Sequence, residues 1–177
     1  WSEVADAATT AGGSIGVYVS IDANEKITLV CPGSEMGQGI STALPMILAE
    51  ELMIDWTKVV LRLADAGSGY NRPTKDATTG VWSPGTSQST GGSNSVRGYH
   101  DYLRTVGATI RRQMVLAASS QSGIALSDLT VVDGVVKQVS TGTALGTYGQ
   151  LVALAATMSP NDVAWVQPPY RYIGQGK

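Results

Sequence analysis

Three glycines within seven residues, in Gly33-Ser34-Glu35-Met36-Gly37-Gln38-Gly39, stand between a run of strand-forming residues and a run that suits a helix. Glycine has no Cβ and takes backbone angles other residues avoid, so this stretch reads as a loop whose main chain comes close to something. Residues 40–53 are apolar nearly all round until Glu50-Glu51, which describes a buried helix rather than a surface one. Pro45 fits that helix if it lies in the first turn, where a missing N–H costs little. A glycine loop opening onto a helix start offers N–H groups to an anion. The same spacing also describes a tight strand-to-helix turn with no ligand.

The flanks extend this frame. Residues 15–21 and 26–30 are β-rich runs separated by Asp22-Ala23-Asn24-Glu25, a hairpin signal. After the helix, Asp55-Trp56-Thr57 leads into 59–63, where Val59, Leu61 and Leu63 alternate onto one face. A second long helix is predicted over about 95–119, with Val96, Tyr99, Leu103, Val106, Ile110, Met114 and Ala117 on its apolar side. Arg97, Asp101, Arg104, Arg111 and Arg112 take the rest, a solvated or partner-facing surface. The expected fold class is α+β, a mixed sheet with two long helices packed on it.

Ser93 or Asn94 suits the N-cap of the second helix. With Gly91-Gly92 it makes another glycine-flanked helix start, and two such starts would grip a phosphate-bearing ligand from two sides. Further on, 129–139 reads as a hairpin with an Asp133-Gly134 turn. Residues 147–158 read as a short helix with Thr147 as cap and Gln150 at the capping-box position.

Between the two long helices, 64–92 shows no periodicity. So long a structureless run is functional, disordered or a linker; Tyr70, Trp82 and the prolines favour a loop that packs on something. Residues 1–13 read as an N-terminal arm and 14–165 as the domain. The proline-led residues 166–177 read as a linker toward a missing downstream domain. A chain that opens on Trp1 is expected to be an excised domain or a processed product.

Twelve basic against fourteen acidic side chains give no surface for nucleic acid. The single cysteine, Cys31, excludes an internal disulfide and a cysteine-held iron–sulfur cluster within this chain; in its apolar run an inert buried thiol is favoured over a reactive one. His100, the only histidine, reads as a surface or capping residue. The residues offer no metal site and no carboxylate pair at acid–base spacing, so no catalytic or metal-ligating residue is assigned. No stretch reaches the length of a membrane span.

Gly33–Gly39 with its apolar helix and Ala49-Glu50-Glu51-Leu52 resembles the molybdopterin-binding subunits of the xanthine dehydrogenase and aldehyde oxidoreductase family, and within it the large (beta) subunits of the isoquinoline 1-oxidoreductase type. Thr90-Gly91-Gly92-Ser93-Asn94-Ser95-Val96-Arg97, Leu103-Arg104-Thr105-Val106-Gly107-Ala108 and Arg171-Tyr172-Ile173-Gly174 follow in the family's order. The resemblance implies a fragment of a molybdenum hydroxylase that oxidises an N-heterocycle or aldehyde with oxygen from water. It implies a molybdopterin cytosine dinucleotide held by the complete subunit, against Met36, Gly37, Gln38 and Gly39 for the pterin and Ser87, Ser89, Thr90, Gly91, Gly92 and Ser93 for the phosphates. The Gln38 amide is expected near the metal end. In that family the glutamate that activates the metal-bound water lies far downstream, in a Gly-Glu motif absent here, so the isolated chain is expected to be inactive. The implied partners are a 2Fe–2S subunit, the downstream part of the same subunit and a small-molecule substrate. The implied setting is bacterial, periplasmic or cytoplasmic, with the periplasm favoured.

Two readings from other classes stay open: a stand-alone module binding a small anion or nucleotide, and an interaction domain docking a partner on its arginine-bearing helix. Neither the Walker nor the dinucleotide fingerprint is present.

Overall fold

The structure, a computed structural model, describes residues 12–22 and 24–175. Its central sheet runs β1 (Gly13–Ser14), β2 (Val19–Ile21), β3 (Ile27–Cys31), β4 (Val59–Leu63) in spatial order. The first three strands are antiparallel, whereas β3 and β4 pair in parallel, Ile27 beside Val59 and Cys31 beside Leu63. A parallel pair needs a crossover, and the crossover here is the glycine loop and α1 (Ile40–Leu52). The hairpin turn closes because Asp22 Oδ1 accepts from the N–H groups of Asn24 and Lys26 at 2.8 and 2.9 Å.

Helix α1 is buried along most of its length, including Leu44, Ile47, Leu48, Leu52 and both terminal glutamates. It lies between β3 and α2 (Ser95–Ser122), the longest helix of the molecule. The two helices approach closely because α2 carries Gly107 at the crossing. A Cβ there would sit 2.7 Å from Glu51 Cβ and 3.2 Å from the Leu48 carbonyl oxygen. Pro45 stands in the second turn, not the first, so it removes one i→i−4 bond from a helix that packing sustains.

Residues 64–92 carry a short ribbon, β5 (Thr74–Lys75) paired with β6 (Trp82–Ser83). This loop packs through its aromatic rings, as Tyr70 meets Tyr18 edge-on at 5.7 Å and Trp82 meets Tyr102 at 5.4 Å. A second sheet holds β7 (Leu129–Val132), β8 (Val135–Gln138) and β9 (Ala144–Thr147). Asp133 and Gly134 both take positive φ in the β7–β8 turn, as a two-residue hairpin requires. Thr147 then caps α3 (Tyr148–Ala155), with both bonds of the capping box to Gln150 present. The third strand of this sheet, β9, has no pattern of its own in the sequence.

Several expectations are corrected. Leu61 and Leu63, on the edge strand β4, are 39% and 46% exposed. Val96 is also exposed, and Arg104, expected on a solvated face, is buried. Asn94 occupies the N-cap of α2, but its side chain does not cap; its Oδ1 accepts from Arg97 instead. Of the predicted arm, 1–11 lie outside the described residues, and Gly13 begins β1. The described part of the predicted linker, 166–175, lies against α1 and α2, with Tyr172 buried.

Candidate functional site

The glycine loop is shaped from within. Glu35 folds back so that Oε1 accepts from the N–H groups of Gly37 (2.8 Å) and Gly39 (3.1 Å), while Oε2 accepts from the Ser41 N–H (2.9 Å) and hydroxyl (2.7 Å). The Ser41 backbone and hydroxyl bonds, followed by that from Gly39, hold its carboxyl down to about 2. Gly37 and Gly39 sit at φ 90° and 78°, the left-handed region where glycine avoids a side-chain penalty. The donors that sequence reasoning offered to an external anion are therefore engaged by the loop's own carboxylate. A Glu-x-Gly-x-Gly-x-Ser spacing was available as a signal, since a carboxylate close before a helix start is the natural occupant of that position.

Gln38 is likewise turned onto the loop. Its Nε2 donates to the Ser34 carbonyl at 2.9 Å and its Oε1 accepts from the Met36 N–H. Both residues stay exposed, Met36 at 69%. Beneath the loop, Cys31 Sγ lies 3.4 Å from the carbonyl oxygens of both Gly33 and Ile40, one at each end of the loop. Burial pushes its thiol up.

The segment 87–93 crosses this loop. Thr90 Oγ1 accepts from the Ser34 N–H at 2.8 Å, and Gln88 Nε2 donates to the Pro32 carbonyl at 3.2 Å. The two strips enclose a cavity of about 370 Å³ walled by Met36, Gln38, Ile40 and Ala43 on one side and by Thr90, Gly91, Gly92, Ser93, Ser95 and Val96 on the other. Of the predicted residues, the structure thus brings Met36, Gln38, Thr90, Gly91, Gly92 and Ser93 round one space. Ser89 faces a separate cavity of about 230 Å³ with Ser34, Ala66 and Gln88. Ser87 lines neither, and its carbonyl accepts from the Arg72 N–H at 3.0 Å. Gly37 and Gly39 shape the loop without lining the cavity. Ile40, Ala43, Ser95 and Val96 are the wall residues that the sequence reading missed, apolar or small groups without a chemical signature.

The two helix starts at this cavity differ. That of α1 is satisfied by Glu35, whereas no side chain caps the first turn of α2. A Cβ placed at Gly91 would meet nothing within 4 Å. Uncapped helical N–H groups beside the hydroxyls of Thr90, Ser93 and Ser95 are a donor set suited to phosphate oxygens. Apolar Met36, Ile40 and Val96 suit a flat ring system in the same space. Among the described residues no group of histidine, cysteine and carboxylate side chains could hold a metal ion, and His100 simply pairs with Asp101 at 2.8 Å. Among the described residues no helix is long and apolar enough to cross a membrane.

Comparison with known proteins gives the family of the chain. A family described as the molybdopterin cofactor-binding domain matches residues 2–172. The chain is similar to the isoquinoline 1-oxidoreductase subunit beta of Brevundimonas diminuta, 36% identical over 141 residues, or 79% of this chain and 17% of that protein. It is also similar to the membrane-bound aldehyde dehydrogenase [pyrroloquinoline-quinone] of Gluconacetobacter polyoxogenes, 33% identical over 71% of this chain and 15% of that protein. In fold it resembles quinoline 2-oxidoreductase from Pseudomonas putida 86, with a TM-score of 0.51 at 20% identity over 82% of this chain and 17% of that one. The chain spans about one-sixth of the length of the curated relatives it matches.

Proposed function

Since the chain belongs to the molybdopterin cofactor-binding domain family, we propose that it is the cofactor-holding part of a larger molybdenum hydroxylase acting on an N-heterocycle or an aldehyde. The observation that carries this reading is the cavity between the glycine loop and the uncapped start of α2, where an apolar wall faces hydroxyl and amide donors. In this reading Thr90, Gly91, Gly92, Ser93 and the first N–H groups of α2 hold the phosphates of a cytosine dinucleotide. Ser87 and Ser89 flank that strip. Met36 and Gln38 lie along the pterin, and Gly37 and Gly39 let the loop take the turn that places them. When bound, the group supplies the two-electron redox chemistry of molybdenum. The residues of this chain bind it, orient it and exclude water from one side.

Glu35 refines the placement. Its carboxylate fills the start of α1, so a second anion there would meet a like charge in a shared set of donors. The phosphates are better received at the α2 end. Gln38 would reach the cofactor by exchanging its bonds to Ser34 and Met36 for bonds to the ligand. A 2Fe–2S subunit and a downstream half of the same subunit, expected to carry the reacting glutamate, complete the proposal.

Metal and cofactor analysis of the full-length protein tests the reading. It should contain molybdenum and release a pterin dinucleotide on denaturation. A protein that carries neither, or a quinone in their place, overturns it, and binding of a simple nucleotide alone would favour the stand-alone module.

A further inference from the structure

Glu50 and Glu51 lie at the opposite end of α1 from the glycine loop. They are 2% and 0% exposed, yet nothing in the cofactor reading uses them. Both carboxylates face one stretch of chain, 164–173, that has neither helix nor strand. Glu50 accepts from three consecutive N–H groups, those of Arg171 (3.0 Å), Tyr172 (2.6 Å) and Ile173 (3.1 Å). Glu51 accepts from the Val166 N–H at 2.8 Å and from Arg104 Nε at 2.6 Å. The two arginines then turn outward to the carbonyls of the same stretch, Arg104 to Val166 and Arg111 to Ala164, each at 2.6 Å.

The segment therefore obtains from side chains the backbone bonds that a sheet or helix would otherwise supply, four N–H groups and two carbonyls. Its rings complete the match. Trp165 stacks on the Arg104 guanidinium at 4.6 Å, and the Tyr172 hydroxyl donates to the Ile54 carbonyl at 2.7 Å. Three convergent amides form a concave donor set that closes around an anion, and the anion here is a side chain 121 to 123 residues earlier in the chain.

We propose that Glu50, Glu51, Arg104 and Arg111 form a binding site for irregular, bent backbone whose ligand is the chain's own segment 164–173. That segment is a docked peptide, and the dock fixes the direction in which the chain leaves the domain. Where the reading above holds and a downstream half follows, its placement is inherited from α1, the same helix that presents the glycine loop at its other end.

Hydrogen exchange on the full-length protein tests this. In the unaltered protein the Tyr172 and Ile173 amides should be protected to the level of interior α2 amides; exchange at the rate of an exposed loop overturns the proposal. Glu50→Gln keeps the shape but replaces one acceptor oxygen with an NH₂ donor. It should speed exchange of the 171–173 amides at least tenfold while the β2–β3 hairpin is unchanged, and unchanged amides in a folded variant also overturn it. If Glu50→Gln does not fold, the measurement on the unaltered protein still decides. Neither arm reads molybdenum or turnover, so a failed cofactor reading leaves both intact.

Discussion

Helix α1 has carboxylates at both ends, and the two ends solve the same problem in opposite ways. At its start, Glu35 accepts from three N–H groups and a hydroxyl in an exposed loop. At its finish, Glu50 and Glu51 accept from four N–H groups and two arginines in a dry interior. Exposed bonds of this kind exchange readily with water or with a ligand. Buried ones do not, because an unpaired charge there has no substitute partner. The loop end can therefore rearrange around a cofactor, while the other end holds the helix still.

Substitutions at each end should separate them. Glu51→Gln leaves Arg104 and Arg111 without a counter-charge, and the expected loss is about 3–5 kcal/mol in chemical denaturation. A loss under about 1 kcal/mol would show that the buried end is no firmer than the exposed one. At the loop end, Gln38→Ala should fold, yet lower turnover per bound molybdenum at least about tenfold, or about 1.4 kcal/mol, in the full-length enzyme. Unchanged turnover would remove Gln38 from the site. Gly39→Ala places a Cβ in open space but at φ 78°, so only the backbone resists, by about 1 kcal/mol. Gly91→Ala, also in open space and without that φ, should shift stability by less than about 0.5 kcal/mol. Equal losses in the two glycine variants would contradict the left-handed geometry of the loop.

A further prediction concerns pH. Glu35 titrates at about 2 when folded, below the ordinary 4.5. Its contribution is therefore fully present above the unfolded value and is lost as pH falls through the folded one. The stability difference between the unaltered protein and Glu35→Gln should shrink from pH 5 toward pH 2, as followed by denaturation at fixed ionic strength. A difference independent of pH would mean that the carboxylate does not hold the loop.

What the sequence disclosed follows the same division. Thr147 with Gln150, Asp133-Gly134 and the bounds of α1 are local patterns, each settled by residues a turn apart. The role of Arg104 depends on Glu51, 53 residues away, so periodicity could only record it as polar. Tyr172 is buried by partners more than a hundred residues earlier, and 166–175 accordingly carries no core pattern. At the site, the glycine strips were legible by composition. Glu35 as the occupant of the α1 start was not, because spacing alone does not tell whether donors serve a ligand or a neighbour.

Cys31 gives the loop a built-in clock. Its sulfur is 0% exposed and lies against the carbonyls of Gly33 and Ile40, and burial keeps it a thiol rather than a thiolate. A thiol reagent can reach it only in the fraction of time that the two ends of the loop part. Its labelling rate then counts openings of the glycine loop, and a ligand that closes the loop slows the count without touching the sulfur.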